Sequence, residues 1–301
     1  MQTVLIFPAV TPEAREYYRR SAAEGRTVLA AASVMTDRAH YENWEFLPAV
    51  SDVLFPQAFA ELVQQHNINA LFVPVASAHF FLKRFLAEKM PQLRIINPSP
   101  FEAQAEHSSA LLKTTDHLLP FERSIAEGRS RLTRLHAAAI LQQAMSVHGE
   151  SNEEKLTAMM GIFARAPQGD VVEVGTLMGR TAIVLRLLAD HYDIGNVLTV
   201  DPWEEVGAIQ HDSPAFVQEM AYAWPPGVLQ TGFSINLLAL GAKRHAHLQL
   251  ASTQAHAEYV RTDSLPSLND HAVAFSHRIA VLHIDANHDY DQVRNDWQLW
   301  G

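Results

Sequence analysis

The stretch VVEVGTLMGR, residues 171–180, decides the fold of the second half of the chain. Its apolar start is typical of a buried strand, its two glycines indicate a turn, and the TAIVLRLLADHY that follows indicates a helix. A second apolar run, residues 197–200, ends on Asp201. That is about twenty residues beyond the turn, where a nucleotide-binding βαβ unit places the carboxylate that binds ribose hydroxyls. The stretch therefore predicts a parallel sheet that binds a nucleotide.

The spacing of the glycines distinguishes between the candidate nucleotides. A dinucleotide fingerprint is G-x-G-x-x-G and holds a pyrophosphate at the N-terminus of the helix. Here the pattern is E-x-G-x-x-x-G, with Glu173 inside the strand. A carboxylate at this position repels a phosphate but accepts hydrogen bonds from an ammonium group. The alternative is an ordinary βα turn with a solvated acid.

This arrangement resembles the class I S-adenosylmethionine-dependent methyltransferases. In that family the first strand ends in an acid followed by G-x-x-x-G, and the second strand ends in the ribose-binding acid. The resemblance implies that Glu173, Gly175 and Gly179 line the methionine side of the cofactor and that Asp201 holds its ribose. The implied cofactor is S-adenosylmethionine.

Two further residues complete the predicted cofactor site. A third strand is expected at residues 247–250, and the family resemblance implies that Ser252, just after it, contacts adenine. Trp203 follows the ribose acid closely, so its ring either lies against the adenine or ribose edge or packs in the core. The sequence leaves both positions for Trp203 open.

The last stretch, IAVLHIDANHDYDQVRNDWQLW at residues 279–300, joins an apolar strand to a polar turn and a helix. Polar groups at the carboxyl end of a parallel strand lie where open α/β sheets bind ligands. Asp285 there suits a hard divalent cation such as Mg²⁺. His288, three residues on, suits a general base, because the ordinary pKa of imidazole, about 6.5, is close to neutral pH.

The I-D-x-x-H-x-Y pattern resembles the group of macrocin O-methyltransferases and cephalosporin hydroxylase-like proteins. By that resemblance Asp285 is a metal ligand that helps to orient a substrate hydroxyl, and His288 removes the proton from that hydroxyl. Asp289 is either a second metal ligand or a structural acid. The alternative for His288 is a structural role as a cap of the final helix.

The first hundred residues alternate between strand and helix patterns, which predicts a complete small α/β domain with a parallel sheet. Strands are expected at residues 4–7, 27–32, 70–75 and 93–96, and helices at residues 12–23, 56–66 and 78–88. This order resembles the domain that precedes the ATP-binding part of ATP-grasp enzymes, although no ATP-grasp lid follows. The simpler interpretation is a helper domain that shapes a substrate cleft or forms a dimer contact.

Between the halves, residues 101–130 are expected to form a connector, because the periodicity weakens and polar residues accumulate there. In the methyltransferase family, helices that precede the first strand fold over the cofactor. His148 and Glu150 belong to a loop between such helices, so they either lie near the cofactor or face solvent. A long insertion after Asp201 is too apolar for disorder. Its polar residues either reach the substrate or form a surface turn; they are Gln210, His211 and Asp212.

Composition limits the class of protein. The net charge of −10 over 301 residues favours neither a nucleic-acid nor an anionic membrane partner. The chain has no cysteine, which excludes disulfides and thiolate metal sites and is compatible with a cytoplasmic location. No apolar run approaches the roughly 20 residues that span a bilayer. Homo-oligomerisation stays open.

Together these observations predict an α/β protein with two Rossmann-like parallel-sheet domains, residues 1–100 and 131–301, joined by the connector. The second domain is expected to be a class I methyltransferase-type fold that is C-terminally incomplete, because the family's sheet continues beyond this point. The predicted activity is metal-assisted methylation of a small-molecule hydroxyl. The alternatives are an NAD(P)-type enzyme, which the missing G-x-G-x-x-G opposes, and a non-catalytic nucleotide-binding module.

Overall fold

The computed structural model describes residues 3–35, 37–118, 125–223, 225–241 and 243–301. By its internal contacts the chain divides into two compact units, residues 1–109 and 110–301. Each unit has its own apolar core and its own parallel sheet. The prediction of two parallel-sheet α/β domains is confirmed.

The first unit is a five-stranded sheet in the order β3-β2-β1-β4-β5, with every pairing parallel. Apolar side chains from both faces of the sheet form two clusters with the helices. Its strands and helices are β1 Thr3–Ile6, α1 Pro12–Ala23, β2 Thr27–Ala32, β3 Trp44–Phe46, α2 Phe55–Gln65, β4 Ile68–Phe72, α3 Ala76–Lys89 and β5 Arg94–Ile95, followed by α4 Pro100–Thr114.

Two elements of this region differ from the sequence-based expectation. The edge strand β3 was not predicted, and its three residues are too few to show a period. Residues 101–130, expected as a connector, contain most of α4. That helix begins with a reciprocal capping box, because the backbone N–H of Ser99 donates to Glu102 Oε2 and the backbone N–H of Glu102 donates to Ser99 Oγ. Leu111 is the one buried residue recorded in α4, which explains its weak periodicity.

The second unit has a four-stranded parallel sheet in the order β11-β6-β7-β8 and a separate antiparallel hairpin, β9-β10, which was not predicted. Its strands and helices are α5 Arg134–Met145, α6 Glu153–Phe163, β6 Asp170–Val174, α7 Arg180–His191, β7 Val197–Val200, α8 Glu205–Ala208, α9 Ala215–Ala223, α10 Pro226–Leu238, β8 His245–Leu248, α11 Ser252–Arg261, β9 Ser264–Pro266, β10 Ala272–Ala274, β11 Ile279–Ile284 and α12 Tyr290–Trp300.

The sheet of the second unit brings four strand ends to one edge. Its two central strands, β6 and β7, are completely buried. Glu173 on β6 lies directly opposite His283 on β11 in the register of the parallel pair. The backbone then turns after each strand, and the turns after β6, β7, β8 and β11 surround one space at the carboxyl edge. Open α/β sheets bind their ligands at this edge.

Gly175 allows the turn after β6 to lie against the turn after β11. Its φ is +84°, and a Cβ would lie 2.5 Å from the Cα of Ala286. We expect Gly175→Ala to destabilise the second unit by about 2–4 kcal/mol, because both the left-handed backbone and the overlap with a neighbouring backbone are unfavourable. The control is Gly241→Ala: its φ is +80°, but nothing lies within 4 Å of the added Cβ. Urea unfolding that gives both variants equal losses would contradict this explanation.

Two histidines, the buried His245 and the partly buried His247, make the stability of the second unit depend on pH. The Thr199 hydroxyl lies 2.9 Å from His245 Nε2 and 3.0 Å from His247 Nδ1. Burial lowers the pKa of both histidines to about 3. Since an unfolded histidine titrates near 6.5, the unfolded state binds more protons between these values, and stability falls as the pH falls below 6.5.

We therefore expect acidification from pH 7.5 to 5.5 to reduce the free energy of unfolding by up to about 1.4 kcal/mol for each histidine. Thermal unfolding across this range measures the slope. His247→Leu should remove about half of the pH dependence that these two side chains cause. His271→Leu, at an exposed position, is the control and should keep the wild-type slope. Equal slopes in the wild type and His247→Leu would contradict the assignment.

Candidate cofactor and active site

A cavity of about 320 Å³ opens at the carboxyl edge of the second sheet. A volume near 300 Å³ or more is usual for small-molecule sites. Its walls come from the loop before α6, the turns after the four strands, and α8, α10 and α12. Of the predicted residues, the cavity is lined by His148, Glu150, Glu173, Gly175, Asp201, Trp203, Gln210, Ser252, Asp285 and His288.

Glu173 is the most buried acid of the cavity wall. The residue is 0% exposed, and its Oε1 lies 3.1 Å from Nδ1 of His283. Its second oxygen, Oε2, has no hydrogen-bond partner among the described residues. Burial raises the pKa of the Glu173 carboxyl, and the hydrogen bond with His283 opposes that rise. A buried acceptor of this kind calls for a donor from a ligand, because an unpaired buried polar atom is unfavourable.

Asp201 lines the cavity and also fixes the turn after β6. Its Oδ2 accepts hydrogen bonds from the backbone N–H groups of Thr176, at 2.9 Å, and Leu177, at 3.0 Å. Its Oδ1 accepts from the N–H of Trp203 at 2.9 Å. Burial raises the pKa of the Asp201 carboxyl, against these three hydrogen bonds, which lower it. Lone pairs remain for ribose hydroxyls, since a carboxylate has about four acceptor positions.

The two glycines of the motif each allow a close packing contact. Gly175 is in the cavity wall, but its missing Cβ leaves room for the turn after β11. Gly179 is not among the lining residues. A Cβ there would lie 3.1 Å from Cδ2 of Phe233 and would overlap Leu237, so Gly179 allows α10 to pack against the start of α7. The placement of Gly179 beside the methionine part of a cofactor stays a prediction.

Trp203, which the sequence left between two positions, packs in the apolar core. It is 6% exposed, its Nε1 donates to the Leu177 carbonyl at 3.0 Å, and its ring centre lies 4.6 Å from that of His247. An edge of the side chain still lines the cavity. Ser252 begins α11, and its Oγ accepts a hydrogen bond of 2.9 Å from Nε1 of Trp300.

The loop before α6 forms one wall because Arg180 holds it. The Arg180 guanidinium donates to the carbonyls of Val147, at 2.7 Å, and Ser151, at 2.9 Å. His148 and Glu150 lie between these two residues and line the cavity, as does Ser151. Arg180 is the first residue of α7, directly after the N-cap Gly179, so the motif both forms the turn and positions this wall of the cavity.

Asp285 follows β11 and forms an ion pair with α6. Its Oδ2 lies 2.9 Å from Nζ of Lys155 and 3.4 Å from the Ser151 hydroxyl, which donates to it. Nε2 of His283 lies 3.9 Å from the same oxygen. On the other side, Oδ1 of Asp285 lies 4.0 Å from Nε2 of His288. His283 thus lies between the carboxylates of Glu173 and Asp285.

Asp289 does not lie where a metal ligand is needed. It is not among the lining residues, and its two oxygens accept hydrogen bonds from the backbone N–H groups of His211, at 2.9 Å, and Asp212, at 2.8 Å. These hydrogen bonds, first that of Asp212, hold the pKa of Asp289 below its usual range. Asp212 in turn accepts from the N–H of Tyr290 at 3.0 Å. These contacts favour the structural role, which is one of the two alternatives that the sequence left open for Asp289.

The same contacts place the polar residues of the insertion. His211 and Asp212 hold the insertion against the turn after β11, together with Asn287, whose amide donates to the carbonyls of Gly207 and Ile209. Gln210 alone of the three predicted polar residues lines the cavity. The insertion therefore closes one side of the cavity.

The described residues do not form a metal site. Among them no group of three or more histidine, cysteine, aspartate or glutamate side chains could hold an ion. Asp289 bonds to backbone amides, and Asp285 is paired with the Lys155 ammonium. The predicted Mg²⁺ site at Asp285 and Asp289 thus does not fit this arrangement.

His283 is one of the site residues that sequence reasoning missed. It lies inside the predicted apolar strand 279–284, where the pattern favours interpreting a single histidine as a core residue. The signal that was available is its register: it is the second residue before Asp285, so strand alternation turns both side chains to the same face. Glu173 then lies directly opposite to it on the neighbouring strand.

The fold and the site define a class of protein. The first two strands of this parallel sheet along the chain, β6 and β7, end in acids around a cavity, and the glycine pattern is not one that binds a pyrophosphate. This is the architecture of class I S-adenosylmethionine-dependent methyltransferases. Residues 172–301 match the model of a protein family described as a methyltransferase domain. The second unit is an S-adenosylmethionine-dependent methyltransferase domain, and the NAD(P) alternative has no support from this match.

Similarity to individual proteins is low. Among solved structures, the O-methyltransferase NovP is 15% identical, with a TM-score of 0.30, over 64% of this chain and 77% of NovP. CalS11, a calicheamicin methyltransferase, is 14% identical, with a TM-score of 0.32, over 68% of this chain and 74% of CalS11. These values are too low to support an argument about activity. No curated protein matches the chain significantly. Within the described residues, no helix has the length and apolar character that crossing a membrane requires.

Proposed function

We propose that the second unit transfers the methyl group of S-adenosylmethionine to the oxygen of a small-molecule hydroxyl, with His288 as the general base. The observation that carries this proposal is the buried Glu173 carboxylate, which offers an oxygen without a partner among the described residues inside a cavity that also holds Asp201. A cofactor with an ammonium group and ribose hydroxyls supplies donors for both acids.

The residues of the cavity fit this cofactor in the order of the strands. Glu173 on β6 would accept from the ammonium group, and Asp201 at the end of β7 would accept from the ribose hydroxyls. His283 keeps one oxygen of the Glu173 carboxylate hydrogen-bonded, so the other oxygen, Oε2, would be left to accept from the ligand. Ser252 after β8 would lie at the adenine end, one strand further along the sheet.

The exposure of His288 and its place in the cavity wall support its proposed role as the base. Its side chain is 61% exposed and lines the cavity, and Asp285 lies 4.0 Å away. The bound sulfonium supplies an activated methyl group. His288 would take the hydroxyl proton as the acceptor oxygen bonds to the methyl carbon and the carbon–sulfur bond breaks with its electron pair left on sulfur. Asp285, fixed by Lys155, stabilises the imidazolium that results.

Because the described acids do not form a metal site, no step of this proposal passes through a metal ion. The cavity, about 320 Å³, has the size of a small-molecule site, which favours a small-molecule acceptor. The names of NovP and CalS11 describe methyltransferases, and NovP is named for transfer to oxygen. A cytoplasmic location, the helper role of the first unit and homo-oligomerisation stay predictions.

We expect His288→Gln to reduce kcat by about 10²- to 10⁴-fold, the usual contribution of a general base, and to leave the affinity for S-adenosylhomocysteine unchanged. The assay follows methyl transfer from labelled cofactor to a panel of sugars, phenols and polyketide-like alcohols, with EDTA and with Mg²⁺. His211→Gln is the matched control, since this histidine lies in the insertion outside the cavity wall. Equal losses in both variants would contradict the role of His288. Cofactor binding without turnover on any hydroxyl would favour the non-catalytic binding module.

A further inference from the structure

Asp296 is a buried acid of the cavity that the proposed reaction does not use. It lies on α12, is 6% exposed and lines the cavity. Burial raises the pKa of its carboxyl, and the hydroxyl of Ser252 opposes that rise as a hydrogen-bond donor. A buried carboxylate at a cavity wall is costly unless donors surround it.

The surroundings of Asp296 are fixed by the end of α12. The indole of Trp300 is 3% exposed, its ring centre lies 5.6 Å from that of Tyr259 on α11, and its Nε1 donates to Ser252 Oγ. Because the Trp300 N–H donates to the Ser252 oxygen, the Ser252 hydroxyl can donate its own proton to Asp296. Two helices that start from different strand ends therefore hold Asp296 and Ser252 side by side.

The position in the sheet indicates which part of a ligand reaches this pair. The strands β6, β7 and β8 are neighbours, and parallel strands lie about 4.8 Å apart. Glu173 belongs to the first of these strands, Asp201 ends the second, and Ser252 follows the third. A ligand whose ammonium lies at Glu173 and whose ribose lies at Asp201 therefore extends its base toward Ser252 and Asp296.

We propose that the Asp296 carboxylate accepts a hydrogen bond from the exocyclic amino group of the cofactor's adenine, and that Asp296 thereby sets the specificity for an adenine nucleoside. Adenine presents an N6 amino donor, whereas hypoxanthine presents an oxygen acceptor at the same position. Asp296 is a specificity residue that acts on the cofactor and takes no part in methyl transfer. The proposal rests on the binding of S-adenosylmethionine proposed above.

The test compares two ligands, S-adenosylhomocysteine and S-inosylhomocysteine, by calorimetric titration of the full chain. We expect the wild type to bind the adenosyl compound at least about tenfold more tightly. In the inosyl compound the oxygen of the base would face the Asp296 carboxylate, so two hydrogen-bond acceptors would lie opposite each other. In Asp296→Leu the adenosyl affinity should fall about tenfold, and the ratio between the ligands should approach one. Asp291→Leu, at an exposed position on the same helix, is the matched control and should keep the wild-type ratio.

Asp296→Asn provides a second variant of nearly the same shape. Its amide can donate to the inosyl oxygen, so the ratio should again fall. A wild-type ratio near one, or a ratio unchanged in both Asp296 variants, would overturn the assignment of Asp296. If the wild type binds neither ligand, the proposed cofactor site itself fails, which is a different result from equal binding of both.

Discussion

Glu173→Gln is expected to weaken the binding of S-adenosylhomocysteine by about 10- to 150-fold, the equivalent of about 1.5–3 kcal/mol for one hydrogen bond to a charged group. The variant keeps the volume of the side chain but removes the negative charge opposite the ligand ammonium. The free oxygen of the native carboxylate, Oε2, has no partner among the described residues, so the loss falls on the ligand rather than on a protein contact.

The stability of this variant should change in the opposite direction. Glu173 is 0% exposed and burial raises the pKa of its carboxyl, so the native fold is made less stable by the ionised form. A neutral glutamine avoids this desolvation and can still accept a hydrogen bond from His283. Thermal unfolding of the second unit should therefore occur at the same or a higher temperature, while titration calorimetry shows the weaker binding.

The matched control for this experiment is Glu205→Gln, which removes the same charge from an exposed acid that also lines the cavity. If the effect of Glu173→Gln came only from the net charge of the cavity, both variants would lose similar affinity. We expect Glu205→Gln to change the affinity by less than about threefold, since exposed charges contribute little. A Glu173→Gln variant that binds as tightly as the wild type would show that the carboxylate does not hold the ligand.

Asp201→Ala is expected to abolish measurable cofactor binding and to destabilise the second unit by about 2–4 kcal/mol. The carboxylate accepts from three backbone N–H groups, those of Thr176, Leu177 and Trp203, and alanine leaves all of them without this acceptor. Asp201→Asn should lose less stability, because the amide oxygen can still accept from part of this set. The expected order of stability is wild type, Asn variant, Ala variant.

Hydrogen exchange measures this effect where it arises. In Asp201→Ala the amides of Thr176 and Leu177 should exchange faster than in the wild type, while the amides of β6 at the far end of the strand change less. Unchanged exchange at these two amides would contradict the structural role of Asp201. Loss of binding in Asp201→Ala therefore reports on the turn as well as on the ribose contact, and Glu173→Gln is the cleaner test of the ligand.

The parts of the structure that the sequence predicts are those with a local signal. The predicted strand 197–200 and helix 12–23 have the observed bounds, because apolar runs, a Thr11 cap and Pro12 mark them within a few residues. Glu173, Asp201 and Asp285 are acids at strand ends, and parallel strands bring such ends together whatever the details of packing. This is why the cavity contains most of the predicted residues.

The features that the sequence does not show depend on long-range contacts. The sequence does not show that α10 packs against Gly179, or that the insertion brings the amides of His211 and Asp212 to Asp289. Lys155 precedes Asp285 by 130 positions, and no local pattern connects them. The helix α4 did carry a local signal, the capping box of Ser99 and Glu102, but only a weak apolar face.

The most direct test of the central claim is a pair of calorimetric titrations of the wild-type chain, one with S-adenosylhomocysteine and one with NADH. The structure predicts saturable, one-to-one binding of S-adenosylhomocysteine that Glu173→Gln weakens, and no binding of NADH, because the glycine turn offers no pyrophosphate site. Binding of NADH without binding of S-adenosylhomocysteine to the folded chain would contradict the assignment of the cavity.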